Sequence, residues 1–208
     1  MKKPLIAGLK DGPLILKNLK KRIFLRDKPL DGASEAVSLC RCGKSSSMPF
    51  CDGGHTASGY KSEAENDPVT PRTVNYKYKD ITVHDTRIVC SHDGSCFREL
   101  PEVFRPREFK WVKPSESTPE KIIETVKKCP SGSLSVSYKG EELPDPARAP
   151  AVRLDSRGPL NAEGGIEFKD SSGLKPFNSE HYALCRCGKS ANKPFCDGTH
   201  LPGMFSKK

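Results

Sequence analysis

The stretch Cys185-Arg186-Cys187-Gly188-Lys189-Ser190-Ala191-Asn192-Lys193-Pro194-Phe195-Cys196-Asp197-Gly198-Thr199-His200 repeats an earlier one almost letter for letter. The earlier one is Cys40-Arg41-Cys42-Gly43-Lys44-Ser45-Ser46-Ser47-Met48-Pro49-Phe50-Cys51-Asp52-Gly53-Gly54-His55. Both read C-x-C-x8-C-x3-H. Three thiols and one imidazole in so short a window make a metal site the leading explanation. The second copy preserves every ligand interval, which marks an internal repeat. In each window three sulfurs and one imidazole nitrogen are expected to converge within a few ångströms.

Composition points the same way. Nine cysteines in 208 residues are an odd number, so a full set of intrachain disulfides is excluded. A bridge within C-x-C would be strained. Metal-bound thiolates in a reducing, cytoplasmic compartment fit better than secretion. A hydrophobic content of 35% against 29% charged residues leaves little apolar surface to bury, which favours small metal-stapled modules of α+β type. Asp11, Gly12 and Pro13 interrupt the apolar run that follows Met1-Lys2-Lys3, and no small-residue cleavage site follows, so no signal peptide is expected. No stretch approaches the roughly 20 apolar residues of a membrane helix, and no membrane is expected as a partner. The formal charge of +9 would suit nucleic acid. Metal-bound thiolates add negative charge that this count omits, aromatic residues are few, and the only basic run is Lys17 to Arg22. A solvated basic surface is therefore expected, and no nucleic acid.

Along the chain, three modules follow from composition. Residues 1–62 form the first. Gly12-Pro13-Leu14-Ile15-Leu16 reads as a turn and a strand, Arg22 to Arg26 as a second strand, Asp31-Gly32 as a turn, and Val37-Ser38-Leu39 as the lead-in to the cysteines. Asp52 is expected to cap a short helical turn that carries His55. Residues 63–72 are polar, with Pro68 and Pro71, and read as a linker. Residues 73–140 form the second module. Tyr76 to His84 reads as one strand with Ile81 and Val83 on one face. Thr118-Pro119-Glu120 reads as a helix start, with Ile122, Ile123 and Val126 on the apolar face, and Leu134 to Tyr138 as a returning strand. Residues 141–151 carry Pro144, Pro146 and Pro150 and again read as a linker. The first module then repeats over residues 151–208, with Ile166-Glu167-Phe168 in the place of the second strand and Tyr182-Ala183-Leu184 before the cysteines. The order is A-B-A, a foreign module between two copies of a repeat.

Spacing alone leaves zinc and an iron–sulfur cluster open for the repeated windows. They resemble the CDGSH iron–sulfur domain family, whose pattern is C-x-C-x2-S-x3-P-x-C-D-G-x-H. The first copy matches through Cys40, Cys42, Ser45, Pro49, Cys51, Asp52, Gly53 and His55, and the second through Cys185, Cys187, Ser190, Pro194, Cys196, Asp197, Gly198 and His200. Gly54 and Thr199 stand where the family has its serine, which is not a ligand. The resemblance implies one [2Fe–2S] cluster per copy. Cys40 and Cys42 would hold one iron, and Cys51 and His55 the other; Cys185, Cys187, Cys196 and His200 repeat those roles. It also implies that the two copies pair within the chain as an intramolecular pseudo-dimer, leaving the chain monomeric. A neutral imidazole in place of an anionic thiolate raises the reduction potential and makes it depend on pH. Lys44 and Lys189 are read as solvated charges.

The middle module carries Cys90, Cys96 and Cys129. Cys90-Ser91-His92-Asp93-Gly94-Ser95-Cys96 resembles a ferredoxin C-x2-C-x2-C run with Asp93 in place of its central cysteine, and Cys129-Pro130 resembles the end of a ferredoxin half. With Leu100-Pro101-Glu102-Val103-Phe104 and Trp111-Val112-Lys113-Pro114, it resembles the divergent mono-cluster ferredoxin family, a ferredoxin-like domain. This implies one [3Fe–4S] or [4Fe–4S] cluster held by Cys90, Cys96 and Cys129. Asp93 is either a conditional fourth ligand or a turn residue beside Gly94. Trp111 and Phe104 are read as core, and His84, His92 and His181 as non-ligands.

These readings predict a multi-cluster iron–sulfur protein that carries electrons between redox protein partners. No nucleophile–base constellation appears outside the cysteine motifs, so no enzyme activity is expected. The alternatives are delivery of clusters or iron to apo acceptors, redox sensing, and a structural zinc protein.

Overall fold

The structure, a computed structural model, describes residues 2–30, 35–64, 70–155 and 158–201. It consists of short strands arranged in three sheets, with a few short helices. The Asp31-Gly32 turn lies outside the described residues.

The first repeat supplies β1 (Leu5–Gly8), β2 (Leu14–Lys17), β3 (Ile23–Leu25), β4 (Lys28–Pro29), β5 (Ala36–Leu39) and the single-turn helix α1 (Gly54–Ala57). The second repeat supplies β10 (Ala151–Leu154), β11 (Leu160–Glu163), β12 (Glu167–Lys169) and β13 (His181–Leu184). Sheet boundaries do not follow the sequence modules 1–62 and 151–208. One sheet has the order β12-β1-β2-β5 and the other β13-β11-β10-β3-β4. The first sheet thus takes β12 from the second repeat, and the second takes β3 and β4 from the first. Strand β12 runs parallel to β1, with Ile6 beside Phe168, and β3 runs parallel to β10, with Val152 beside Ile23.

Period-two alternation explains why these segments are strands. In β2 and β5 the inward residues Leu14 and Leu16 face Leu39 and Val37 directly across the ladder. In β11 Leu160 and Ala162 do the same opposite Leu184 and Tyr182. The result is a single core shared by both repeats, in which Ile6, Leu16, Ile23 and Leu39 pack with Val152, Leu160, Phe168 and Leu184. Such opposed apolar pairs are the unit of sheet stability.

The two halves also meet at their metal loops. Cys42 and Cys187 form an antiparallel bridge between the two windows. Gly43 (φ +73°) and Gly188 (φ +75°) make the approach possible, because a Cβ there would stand 2.8 Å from the Cys187 carbonyl oxygen and 2.6 Å from that of Cys42. Arg41 crosses between the halves. Its guanidinium donates to the carbonyls of Gly12 and Leu9 and faces Asp170 at 3.7 Å, with both side chains 2% exposed. Arg186 takes the corresponding place in the second repeat, donating to the carbonyls of Asp155 (3.1 Å) and Cys40 (3.5 Å).

The middle module has its own core. It is built from β6 (Val74–Tyr78), β7 (Ile81–Asp85), α2 (Ser95–Glu99), α3 (Pro119–Val126), β8 (Leu134–Tyr138) and β9 (Glu141–Glu142). The four strands form an antiparallel meander in chain order. Phe104 and Trp111 are buried with Ile81, Val83, Ile122, Val126 and Cys129. Residues 76–84 are not one strand. Lys79 adopts φ +49° and turns the chain, so Tyr78 pairs with Ile81 in a tight hairpin. Helix α3 starts at Pro119 as expected, but the Thr118 hydroxyl makes no capping bond. Ile122 and Val126 are buried, and Ile123 is half-buried.

Candidate metal centres

Strand β5 delivers Cys40 straight after the buried Leu39. The loop then closes on itself: the Cys40 N–H donates to the Pro49 carbonyl (2.9 Å) and the Cys51 N–H to the Ser38 carbonyl (3.0 Å). The Ser45 hydroxyl donates to the Phe50 carbonyl at 2.6 Å. Asp52 accepts from the Gly54 N–H through Oδ1 (3.0 Å) and from the Ser46 N–H and hydroxyl through Oδ2 (2.7 Å each), and so fixes the turn that carries His55. The second loop repeats these bonds except that of the Ser46 hydroxyl, where Ala191 stands. Cys185 donates to Pro194 (2.9 Å), Cys196 to Ala183 (2.8 Å) and the Ser190 hydroxyl to Phe195 (2.7 Å). Asp197 accepts from the N–H groups of Thr199 (3.0 Å) and Ala191 (2.9 Å).

These bonds bring the donor atoms together in pairs. Cys40 Sγ and Cys42 Sγ stand 3.5 Å apart, and Cys51 Sγ and His55 Nδ1 3.4 Å. In the second repeat the values are 3.7 Å for Cys185 and Cys187, and 3.5 Å for Cys196 and His200 Nδ1. Both histidines turn toward their cysteines. The donors stand two and two, and among the described residues no group of three could hold a single metal ion.

Within each C-x-C pair one thiol is shifted toward the thiolate and the other away from it. At Cys40 burial, which would raise the thiol, is outweighed by the N–H groups of Ser45, Gly43 and Cys42 and by the Cys42 thiol, and the pKa falls. Burial pushes Cys42 up. In the second repeat the hydrogen bond between the two thiols holds Cys185 well above its ordinary range and brings Cys187 down to about 6. Cys196, 3% exposed, is pushed up to about 12 by burial. Burial also lowers His200, so its imidazole is neutral and available as a ligand at neutral pH.

The middle module gathers Cys90, Cys96 on α2 and Cys129 beyond α3. Burial raises Cys90 and Cys96, the latter to about 12, and in each case the Cys129 sulfur adds to the effect. Repulsion from the Cys129 sulfur at Cys90 and Cys96 would be relieved by a cation among the three thiols. Donors already point at them. The His92 N–H lies 3.4 Å from Cys90 Sγ, and the hydroxyls of Ser133 and Ser131 lie 3.4 and 3.7 Å from Cys129 Sγ. Arg87 stacks over Trp111, pairs with Asp85 (3.1 Å) and reaches Cys90 Sγ at 3.9 Å. Asp93 directs Oδ1 at the Ser95 N–H (3.0 Å) and at Arg98 (3.6 Å), shaping the start of α2.

A family model described as an iron-binding zinc finger of CDGSH type matches residues 11–56 and again 157–201, and one described as a divergent 4Fe-4S mono-cluster matches residues 76–139. The chain joins two CDGSH-type iron-binding domains to a divergent 4Fe-4S mono-cluster domain. No curated protein and no solved structure gave a match. The donor sets fit iron and sulfide chemistry: soft thiolates with one imidazole in each CDGSH domain, thiolates alone in the mono-cluster domain, and N–H groups directed at the sulfurs in all three. All nine cysteines are free of disulfides, and among the described residues no helix is long and apolar enough to cross a membrane.

His181, read as a non-ligand, is buried and bonded to Arg148 at 3.0 Å. His84 bridges Asn75 and Ser137 on the middle sheet. Sequence reasoning missed the position of His92. Its ring lies against Gly198 of the second CDGSH loop, and burial pushes its pKa down to about 4. No local signal marks this contact, because the two residues are far apart in the chain.

Proposed function

We propose that the chain is a multi-cluster electron carrier. Cys40 and Cys42 with Cys51 and His55 would hold one [2Fe–2S] cluster, Cys185 and Cys187 with Cys196 and His200 a second, and Cys90, Cys96 and Cys129 a [3Fe–4S] or [4Fe–4S] cluster. The two-and-two spacing of the CDGSH donors carries this reading. Ligands about 2.0 to 2.3 Å from one tetrahedral ion stand roughly 3.3 to 3.8 Å apart, the separation found within each pair. Two such pairs supply the two irons of a binuclear cluster, whereas one zinc ion would draw all four donors to a single point. The exchanged strands and the Cys42–Cys187 bridge support an internal pseudo-dimer within a monomeric chain, and the sheet with α3 supports a ferredoxin-like middle domain. Its partners would be one-electron redox proteins, and no substrate conversion is assigned to the chain.

Delivery of cluster or iron is the second reading, favoured by the half-buried Cys51 and His55 of the first repeat. Mixing reduced holoprotein with oxidised ferredoxin and, separately, with apo-ferredoxin separates the two. Rapid bleaching of the oxidised ferredoxin with iron retained on the donor supports electron transfer; iron appearing on the apo-ferredoxin supports delivery.

Asp93 offers a test of the middle cluster. Three thiolates leave one corner of a cubane to a weaker donor, and a carboxylate is a hard ligand for iron. Its present bonds to Ser95 and Arg98 would have to open for Asp93 to ligate. Asp93→Cys is expected to fix the cluster as [4Fe–4S] in air, read by electron paramagnetic resonance. The same cluster type and iron content in mutant and wild type would leave Asp93 as a turn residue.

A further inference from the structure

The contacts between the ligand sets differ and define an order. The His92 N–H points at Cys90 Sγ (3.4 Å), and φ +54° swings its ring out toward the second CDGSH loop. There it rests on Gly198: a Cβ built on that glycine would stand 1.8 Å from His92 Cδ2. The Gly198 N–H in turn points at Cys196 Sγ, at 3.5 Å. The two sulfurs are therefore joined by two hydrogen bonds and one van der Waals contact. Asn192 Nδ2 clamps the same loop to the Ile88 carbonyl at 3.2 Å. Gly132, beyond Cys129, adds a second clamp, since a Cβ there would lie 2.5 Å from Asn178 and 3.0 Å from the His181 carbonyl.

The first repeat has no such neighbour. Gly53 occupies the place of Gly198 with nearly the same φ, +89° against +83°, yet a Cβ there would meet nothing within 4 Å among the described residues. Its link is to the second repeat, through the Cys42–Cys187 bridge.

We propose that the three ligand sets form a line, mono-cluster domain to second CDGSH domain to first CDGSH domain, with His92 and Gly198 as the electronic contact across the first junction. Tunnelling falls exponentially with gap width, so a ring filling that gap keeps exchange fast where solvent or empty space would slow it. With clusters bound, one electron would pass from the centre held by Cys90, Cys96 and Cys129, which would be oxidised, to the centre held by Cys185, Cys187, Cys196 and His200, which would be reduced. The imidazole ligand would raise the potential of the second centre and so favour this direction. The electron is supplied by a one-electron donor of the flavin or iron–sulfur class and is taken up by an acceptor of the same class. Where the ligand imidazole titrates on reduction, a proton from solvent accompanies the electron at that ligand. His92 acts here as a positioning and contact residue, through its ring and not as a ligand. This order rests on reading the three sites as iron–sulfur centres.

The test uses the anaerobically purified full-length holoprotein, reduced with dithionite. Electron paramagnetic resonance of wild type is expected to give one CDGSH signal broadened by the reduced mono-cluster centre and one that is not. His92→Asn tolerates the left-handed backbone, keeps the N–H to Cys90 and withdraws the ring. It should keep that broadening, which reports the separation of the centres, and slow exchange after flash reduction severalfold, with iron content unchanged. His92→Phe restores a ring without a ligating nitrogen and should recover the fast exchange. Equal broadening of the two CDGSH signals in wild type overturns the order, and an Asn variant with the wild-type exchange rate overturns the role of His92. A holoprotein with zinc and no iron overturns the functional reading itself, which the metal count distinguishes.

Discussion

Gly188→Ala is expected to lower the melting temperature of the holoprotein by about 10 °C. At φ +75° an alanine costs about 1–2 kcal/mol in backbone strain alone. Its methyl group would also stand 2.6 Å from the Cys42 carbonyl oxygen, a backbone atom that cannot step aside without parting the two loops. Overpacking of that kind costs about 1–3 kcal/mol more. For a chain of this size each kilocalorie is worth about 2–4 °C. Gly43→Ala meets the Cys187 carbonyl at 2.8 Å and should behave alike. Gly140 is the matched control, because φ is +86° there and nothing lies within 4 Å of a built Cβ. Gly140→Ala should pay only the backbone term, a shift of about 2–8 °C. Thermal scans by circular dichroism decide it; equal shifts for Gly188→Ala and Gly140→Ala would mean that the Cys42–Cys187 apposition contributes nothing to stability.

His55→Cys and His200→Cys should each lower the reduction potential of one site by on the order of 100 mV or more, because an anionic thiolate replaces a neutral imidazole. The same exchange should flatten the pH dependence of that site. The sign follows from His200. Burial depresses its pKa, so the folded chain keeps the neutral ligand while the unfolded chain takes up a proton below about pH 6.5. The stability it contributes is present above that pH and is lost as the pH falls through the folded value. Metal retention at the imidazole should weaken in the same direction. Redox titration across pH 5 to pH 8 would show a slope in wild type that each mutant loses at one site only. Identical slopes in wild type and both mutants would remove the imidazoles from proton-coupled chemistry.

The two loops were legible in the sequence because everything that shapes them is local. The intervals from Cys40 to His55 fix the donors, and Asp52 and Asp197 close the turns through N–H groups a few residues away. Helix α3 was legible for the same reason, with Pro119 opening it and Ile122 and Val126 marking its inner face. The exchanged strands were not. Ile23 and Val152 pair across most of the chain, and neither three-residue strand β3 nor the lysine-flanked Leu5–Gly8 carries a periodic signal long enough to say which sheet it joins. The hairpin at Lys79 was missed because its turn lacks the glycine or asparagine that ordinarily announces positive φ. The His92–Gly198 contact was invisible because Gly198 reads identically to Gly53, and only docking of the middle domain distinguishes them.

The most direct measurement is the iron, zinc and acid-labile sulfide content of anaerobically purified full-length protein, taken with its visible spectrum. The account predicts a red-brown protein with about seven or eight irons per chain, sulfide in near-equal amount, and little zinc. A colourless protein with about one zinc per site and no sulfide would contradict it.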